Sequence, residues 1–458
     1  MADHKARRLN VVFLGHKDSG KSSVLGRLVF DGLSEWDRTR ATVDANKVGL
    51  DHLKYGIAVS YSTSFTDDVE DISLYPLQLS RSTMMLRELA PVHYLHQHYL
   101  AQIVRAHVAV LVISAAVGEF EAGFCREGQT RLSISLAHHL GATPLLVVVT
   151  KMDHQSVQYS AARFAEIRQE TDSFLSRRLG VDAATVSYVP VSAWHGDNVR
   201  SQSASGDQLA WWDGPSLRDL LDGIELGPDL SDLPLRIDVI EVRSFAGIDA
   251  QITRGRVLSG TLREGMTLLY APSMLIGTVR KLIGLCETAG PGVQAEFLVD
   301  HEPAHPSKGE LCCELSAPDP VCAVRSFTAR LVMVRNTHSG SDNLLKVGQV
   351  WKVCRPIASQ HTACSCRLTK LSASHSLRSG LRVRAEPASA AIRAGEVCMA
   401  EFEPLTAFSV EEFAPGSETP LGGISLHPDE PNGMHTTVAV GVVCSVSRED
   451  GGLTKPAR

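Results

Sequence analysis

With 458 residues, 44% of them hydrophobic and 21% charged, the chain has core enough for two to four domains and is neither disordered nor fibrous in composition. A net charge of −6 supplies no bulk basic field for nucleic acid. The start is polar with no apolar signal core, and the longest apolar run, around residues 108–117, is too short to span a bilayer. A cytoplasmic location with no membrane contact is therefore expected.

Residues 9–14 form a mostly apolar run that reads as a buried strand. Gly15-His16-Lys17-Asp18-Ser19-Gly20-Lys21-Ser22 follows and fits G-x-x-x-x-G-K-[ST], the phosphate-binding P-loop. Residues 23–30 then read as a helix, which completes the strand, loop, helix context the motif requires. Gly15 and Gly20 let backbone approach phosphate closely, and the helix N-terminus turns N–H groups toward the anion. Lys21 supplies a point charge for the outer phosphates, and the Ser22 hydroxyl is placed to ligate Mg²⁺. Gly15, Asp18, Ser19, Gly20, Lys21, Ser22 and Ser23 are the candidate phosphate-site residues, with Ser22 the candidate metal ligand.

Strand-like and helix-like segments alternate as far as residue 225, which predicts an α/β domain with a mostly parallel sheet. Strands are expected at 83–88, 108–113, 145–149 and 186–191, and helices at 129–140 and 160–179, the second stopped by Gly180. Ser216 and Asp219 have capping-box spacing at the head of a further short helix. Residues 198–206 read as a surface insertion, and 226–234, with one Gly, two Pro and two Asp, as a linker. Trp211-Trp212 reads either as a partner-binding patch or as packing on the domain edge.

Beyond the linker, short β-rich runs at 235–242, 256–258, 266–270, 327–334 and 438–443 are separated by Gly, Pro and Ser clusters. That spacing predicts two β-barrels or sandwiches with a boundary near Val324. The expected plan is an α/β P-loop domain over residues 1–226, β-domains over 233–324 and 325–447, and a polar tail over 448–458. The ten cysteines include no Cys-x-x-Cys pair and read as reduced, mostly buried thiols, with Cys364 and Cys366 on one face of a strand.

Two further segments name the base. Thr150-Lys151-Met152-Asp153 follows the apolar run 145–149. A carboxylate at Asp153 can accept hydrogen bonds from guanine N1 and N2, which adenine does not offer, and the Lys151 stem can lie over the base plane. Ser192-Ala193-Trp194 follows the run 186–191, where backbone N–H groups can meet guanine O6. In this order the set favours GTP or GDP over ATP.

These residues resemble the elongation factor 1-alpha group of translational GTPases. The P-loop is similar to the family's Gly-His-Val-Asp-Ser-Gly-Lys-Ser, and Gly118-Glu119-Phe120-Glu121-Ala122-Gly123 and Gly128-Gln129-Thr130-Arg131 resemble family segments. So do Leu233-Pro234-Leu235-Arg236, Phe327-Thr328-Ala329, His361-Thr362-Ala363 and Thr437-Val438-Ala439-Val440-Gly441-Val442, so the resemblance covers nearly the whole chain. It implies a GTP-binding domain followed by two β-barrels, GTP/GDP and Mg²⁺ as ligands, and the ribosome, aminoacyl-tRNA and a nucleotide exchange factor as partners. Termination-factor and ribosome-rescue GTPases share the Glu-Phe-Glu segment. The GTPase subunit of sulfate adenylyltransferase has the same architecture, but the 118–123 and 128–131 segments argue against it.

Three switch positions depart from the family. Its Gly-Ile-Thr, whose threonine ligates Mg²⁺ in the GTP state, is matched by Gly56-Ile57-Ala58, and Ala58 has no ligand oxygen. Its Asp-Ala-Pro-Gly-His is matched by Leu89-Ala90-Pro91-Val92-His93. Leu89 replaces the aspartate that supports the Mg²⁺ shell, and Val92 replaces the glycine whose N–H senses γ-phosphate. His93, matching the residue that orients water, is retained as the candidate catalytic group. Loss of preorganised groups of this kind costs about 10²–10³ each in rate without being additive. Hydrolysis is expected to be weak or lost, and a pseudo-GTPase adaptor in ribosome rescue or RNA surveillance is the alternative. The acidic net charge also argues against strong tRNA affinity.

Overall fold

The computed structural model describes residues 7–30, 74–80, 82–89, 97–125, 128–142, 145–202, 206–224, 230–244, 251–284, 288–301, 306–333, 345–355, 362–372, 375–377, 379, 392–393, 395–413, 422–429 and 437–448. Ala58, Val92 and His93 lie outside them. The chain divides into two compact units, Met1–Glu225 with Ser376–Leu381, and Leu226–His375 with Arg382–Arg458.

The first unit is built on a six-stranded sheet. Its strands are β1 (Arg7–Gly15), β2 (Leu74–Gln78), β3 (Ser82–Glu88), β4 (Val108–Ser114), β5 (Leu145–Thr150) and β6 (Ser187–Pro190), in spatial order β2-β3-β1-β4-β5-β6. β3, β1, β4, β5 and β6 run parallel, and β2 alone pairs antiparallel, at the edge. Every residue of β4 is buried, as a central strand covered on both faces demands. Helix α1 (Lys21–Phe30) packs on β1, β2 and β3. Among the described residues the other α-helices are α2 (Gln97–Val104), α3 (Glu119–Phe124), α4 (Gln129–His139), α5 (Ala161–Phe174) and α6 (Leu217–Asp222), and α4 packs on β1 and β4.

Local chemistry sets the helix ends. The Ser160 side chain accepts the Arg163 N–H at the head of α5, and Ser216 and Asp219 form the expected reciprocal box at α6. The expected helix 160–179 is α-helical only to Phe174. It widens to a π-turn over Leu175–Leu179, where the Ser176 hydroxyl bonds back to the Asp172 carbonyl, and Gly180 ends it in the left-handed region. The expected strand 186–191 contracts to Ser187–Pro190, with the proline tolerated because β6 is an edge strand.

The expected surface insertion at 198–206 is corrected at its start. Asn198 and Val199 are buried. The Asn198 amide donates to the Pro190 carbonyl, while the Asn198 and Val199 carbonyls accept from Leu217 and Arg218 at the head of α6. A buried asparagine whose amide and carbonyl are both hydrogen-bonded is core structure, polar though it is. Trp211 and Trp212 pack on Phe164 at 5.5 Å each, and the Trp211 indole donates to the Tyr159 carbonyl, so packing decides that pair.

The second unit holds two antiparallel barrels. The first closes Thr267–Ala271, Leu275–Ile283, Gln294–His301, Gln251–Ser259, Arg236–Ser244 and Leu311–Glu314 into a ring around Tyr270 and Phe297. In the other, Val324–Met333, Ala439–Arg448, Gly423–Pro428, Val350–Arg355, Thr362–Leu371 and Glu396–Pro404 follow in order, and the last pairs with the first to close it. Phe327 and Phe402 stack at 5.4 Å in its core, which also holds Cys364, Cys366 and Cys398. A charged seam joins the barrels: Arg236 meets Glu411 at 3.3 Å, Arg355 meets Asp238 at 3.6 Å, and Arg355 donates to the Gly309 carbonyl at 2.8 Å.

Candidate functional site

β1 runs directly into the P-loop. Gly15 has φ 151°, and a Cβ there would lie 2.3 Å from the Val112 carbonyl oxygen of β4, so only glycine fits. Gly20 has φ 94°, and α1 begins with the Val24 N–H donating to its carbonyl. Lys21 is buried, with Nζ donating to the His16 carbonyl at 2.8 Å and the Gly15 carbonyl at 3.3 Å, so the cation is folded over its own loop. Burial lowers the Lys21 ammonium, and the charges of Glu88 and Asp18 act the other way. The Ser19 hydroxyl is buried without a hydrogen-bond partner. A buried orphan hydroxyl beside a desolvated ammonium fits an anionic group such as phosphate. Asp18 is exposed, with φ 59°, and Ser23 is half-buried in the first turn of α1.

The Ser22 hydroxyl donates to Glu88 Oε1 at 2.7 Å. Burial raises the Glu88 carboxyl, against the hydrogen bond from Ser22 and the charge of Lys21. Ser22 and Glu88 make an oxygen-only pair, the donor chemistry that suits Mg²⁺. Leu89, the next residue, is 2% exposed, and its N–H donates to the Phe13 carbonyl of β1.

Three connections fix the base-side segments. The Thr150 hydroxyl at the end of β5 lies 2.5 Å from the Ser19 carbonyl and 3.1 Å from that of Ile113, with one proton to give. Lys151, held at φ 57°, pairs through Nζ with Glu119 at 2.6 Å, and Glu119 also accepts from Ser114 at 2.7 Å. Partial burial pushes the Glu119 carboxyl up, but those two donors outweigh it and hold it below the usual range. Asp153 is half-buried one turn further on. Ser192 is buried and heads a tight turn: its carbonyl accepts from Gly196 at 2.7 Å and its hydroxyl from His195 at 3.2 Å. Ala193 is buried and Trp194 is 45% exposed. Arg27 of α1 donates to the His195 carbonyl at 2.8 Å, and a Cβ on Gly196 would strike that guanidinium.

The structure thus ties Ser19 to Thr150, Ser22 to β3 and α1 to the 192–196 turn. Sequence reasoning missed Glu88, Glu119, Arg27 and Gln129, whose side-chain oxygen accepts the Lys17 N–H at 3.1 Å. Glu88 had one signal, a carboxylate at the last position of the strand expected at 83–88.

Residues 95–261 match the family model described as the elongation factor Tu GTP binding domain. Over 462 residues the chain is 29% identical to elongation factor 1-alpha of Stylonychia lemnae, covering 98% of each. The chain is thus similar to elongation factor 1-alpha over nearly its whole length. Elongation factor 1-alpha of Euglena gracilis is 28% identical over 461 residues, again 98% of each chain. Among solved structures, the Ski7 GTPase-like domain of S. cerevisiae, bound to GTP, shares the fold with a TM-score of 0.57 at 17% identity, covering 96% of this chain and 97% of that one. The match to the elongation factor Tu domain begins downstream of the P-loop and of Leu89.

Proposed function

We propose that this chain binds guanine nucleotide through its first unit and works in translation with GTP hydrolysis that is weak or lost. The observation that carries the nucleotide reading is the contact from Thr150 to Ser19. It fixes the segment bearing Lys151 and Asp153 on the phosphate loop, so a ligand with both phosphates and a base fits the pair. Lys21 and the orphan Ser19 hydroxyl meet the phosphates, Asp153 selects guanine over adenine, and the turn Ser192-Ala193-Trp194 offers backbone N–H groups to O6. Ser22 would hold Mg²⁺, which neutralises phosphate charge when bound.

Leu89 supports the second half of the proposal. Its side chain is buried and has no oxygen, where elongation factor 1-alpha has aspartate. A site that senses γ-phosphate poorly holds GTP and GDP alike, and a ligand of equal affinity for two states shifts neither. The same leucine favours a second reading, a pseudo-GTPase adaptor in ribosome rescue or RNA surveillance whose nucleotide serves only stability. In both, the plan is a nucleotide domain over 1–226 and barrels over 233–324 and 325–447 that carry the partner surfaces. The ribosome, aminoacyl-tRNA and an exchange factor are the partners drawn from the resemblance, in the cytoplasm.

Competition binding with GDP, GTP, a non-hydrolysable GTP analogue and ATP tests this. The three guanine ligands should agree within a few-fold and ATP should bind at least ~100-fold more weakly, since Asp153 is left unpaired by adenine. Turnover should stay near background with ribosomes present. Equal binding of ATP overturns the guanine reading, and strong ribosome-stimulated turnover overturns the loss of hydrolysis.

A further inference from the structure

Strand alternation places the carboxylate. β3 is buried at Ser82, Met84 and Leu86, and Glu88 continues that series. Arg87 lies on the opposite face, where its guanidinium meets Gln102 of α2. The face carrying Glu88 is the one on which Ser22, at the head of α1, donates to Oε1 at 2.7 Å. Leu89 is packed away at 2% exposure. The strand therefore does end on a carboxylate directed at the P-loop serine, one residue before the position where the resemblance puts aspartate.

We propose that Glu88 is the carboxylate that orients the metal-binding serine in this chain. It rests on the reading that the first unit binds guanine nucleotide. The Ser22 hydroxyl has one proton and two lone pairs. With the proton committed to Glu88, the lone pairs are turned outward, away from the carboxylate, as a cation ligand requires. The negative charge of Glu88 also raises the affinity of Ser22 for a divalent ion. Outer partners of this kind fix the orientation of the group that ligates the metal. Loss of the family's aspartate at Leu89 is thus offset from the neighbouring position, while γ-phosphate sensing, which belongs to other residues, is not restored. The chain keeps a Mg²⁺-assisted grip on nucleotide without a GTP-specific switch.

The test is the ratio of GDP affinity with and without Mg²⁺, in the full chain and in Glu88→Gln, together with Mn²⁺ binding to the GDP complex by electron paramagnetic resonance. The wild type should gain affinity with Mg²⁺ and hold one Mn²⁺. Glu88→Gln should lose ~10–100-fold in Mn²⁺ affinity, and its Mg²⁺ ratio should fall toward one. Ser22→Ala with Glu88→Gln should be no worse than the weaker single variant, because the two act as one unit. If Glu88→Gln does not fold, Glu88→Asp, whose shorter side chain draws the carboxylate back from Ser22, should show the same direction. An unchanged Mg²⁺ ratio in the variant, or a wild-type ratio of one, overturns the role of Glu88. Failure of the wild type to bind any guanine nucleotide, with or without Mg²⁺, overturns the nucleotide reading first and this one with it.

Discussion

The hydroxyl of Thr150 reaches the carbonyl of Ser19 at 2.5 Å across 131 positions of sequence, joining the end of β5 to the phosphate loop. Valine has nearly the same shape and cannot donate. Thr150→Val leaves a buried acceptor unpaired, a loss of about 1–3 kcal/mol. GDP affinity is expected to fall about tenfold by that reckoning, while Thr150→Ser stays near the parent. Titration with a fluorescent GDP measures both, and parental affinity in the valine variant would show that the contact positions nothing.

Gly15 carries a steric demand from a different strand. A methyl group there lies 2.3 Å from the Val112 carbonyl and 3.0 Å from the Ser19 hydroxyl. Gly15→Ala must move either β4 or the loop, at a cost of about 2–4 kcal/mol. Urea unfolding should show the lower midpoint, accompanied by loss of nucleotide binding. A variant with the parent's midpoint would mean that the loop relaxes freely.

Placing aspartate at position 89, as the resemblance to elongation factor 1-alpha would have it, is expected to harm the protein. Leu89 is buried, its backbone is tied to Phe13, and Glu88 already places a carboxylate next to it. Leu89→Asp adds a second, unpaired charge to that strand end and should cost about 3 kcal/mol or more. Thermal melting of the variant at pH 5 and pH 8 reads the effect, which should be larger at pH 8, where the carboxyl is ionised. An equal cost relative to the parent at both values would place the new side chain in solvent.

Asp238 gives a pH dependence with a definite sign. Burial pushes its carboxyl up to about 6, against the pull of Arg355 and Arg256. The folded chain therefore holds this proton more tightly than the unfolded chain does. The stabilisation is complete below the unfolded value, near 4, and is lost as pH rises through 6. A shift of about two units corresponds to about 3 kcal/mol. Asp238→Asn has no proton to lose, so its stability relative to the parent should rise by up to that amount between pH 4 and pH 7. A relative fall over the same range would mean that the ion pair with Arg355 outweighs burial.

The central sheet was legible because its strands are unbroken apolar runs. Residues 108–113 and 145–149 lie inside β4 and β5, which are buried on both faces. The barrel strands were harder because alternation carries the signal and bulges interrupt it. Leu275–Ile283 slips register between Val279 and Lys281, so its exposed Arg280 and Lys281 are adjacent and the alternation breaks within the strand. In the site, the glycine loop and Thr150–Asp153 are contiguous motifs and were found. Glu88, Glu119 and Arg27 act through partners 66, 32 and 168 residues away in sequence, and no local pattern announces such a pairing.

The seam between the barrels has a practical consequence for recombination. Arg236 and Asp238 from one barrel find their counter-charges on Glu411 and Arg355 of the other, all four buried or nearly so. A chimaera spliced at Val324 would set Asp238 and Arg355 against a foreign surface, and would leave Arg236 and Glu411 only Asp319 and Arg448 of their own barrels as counter-charges. A graft taken from the linker onward keeps both pairs of the seam together, so the seam favours moving the two barrels as a pair.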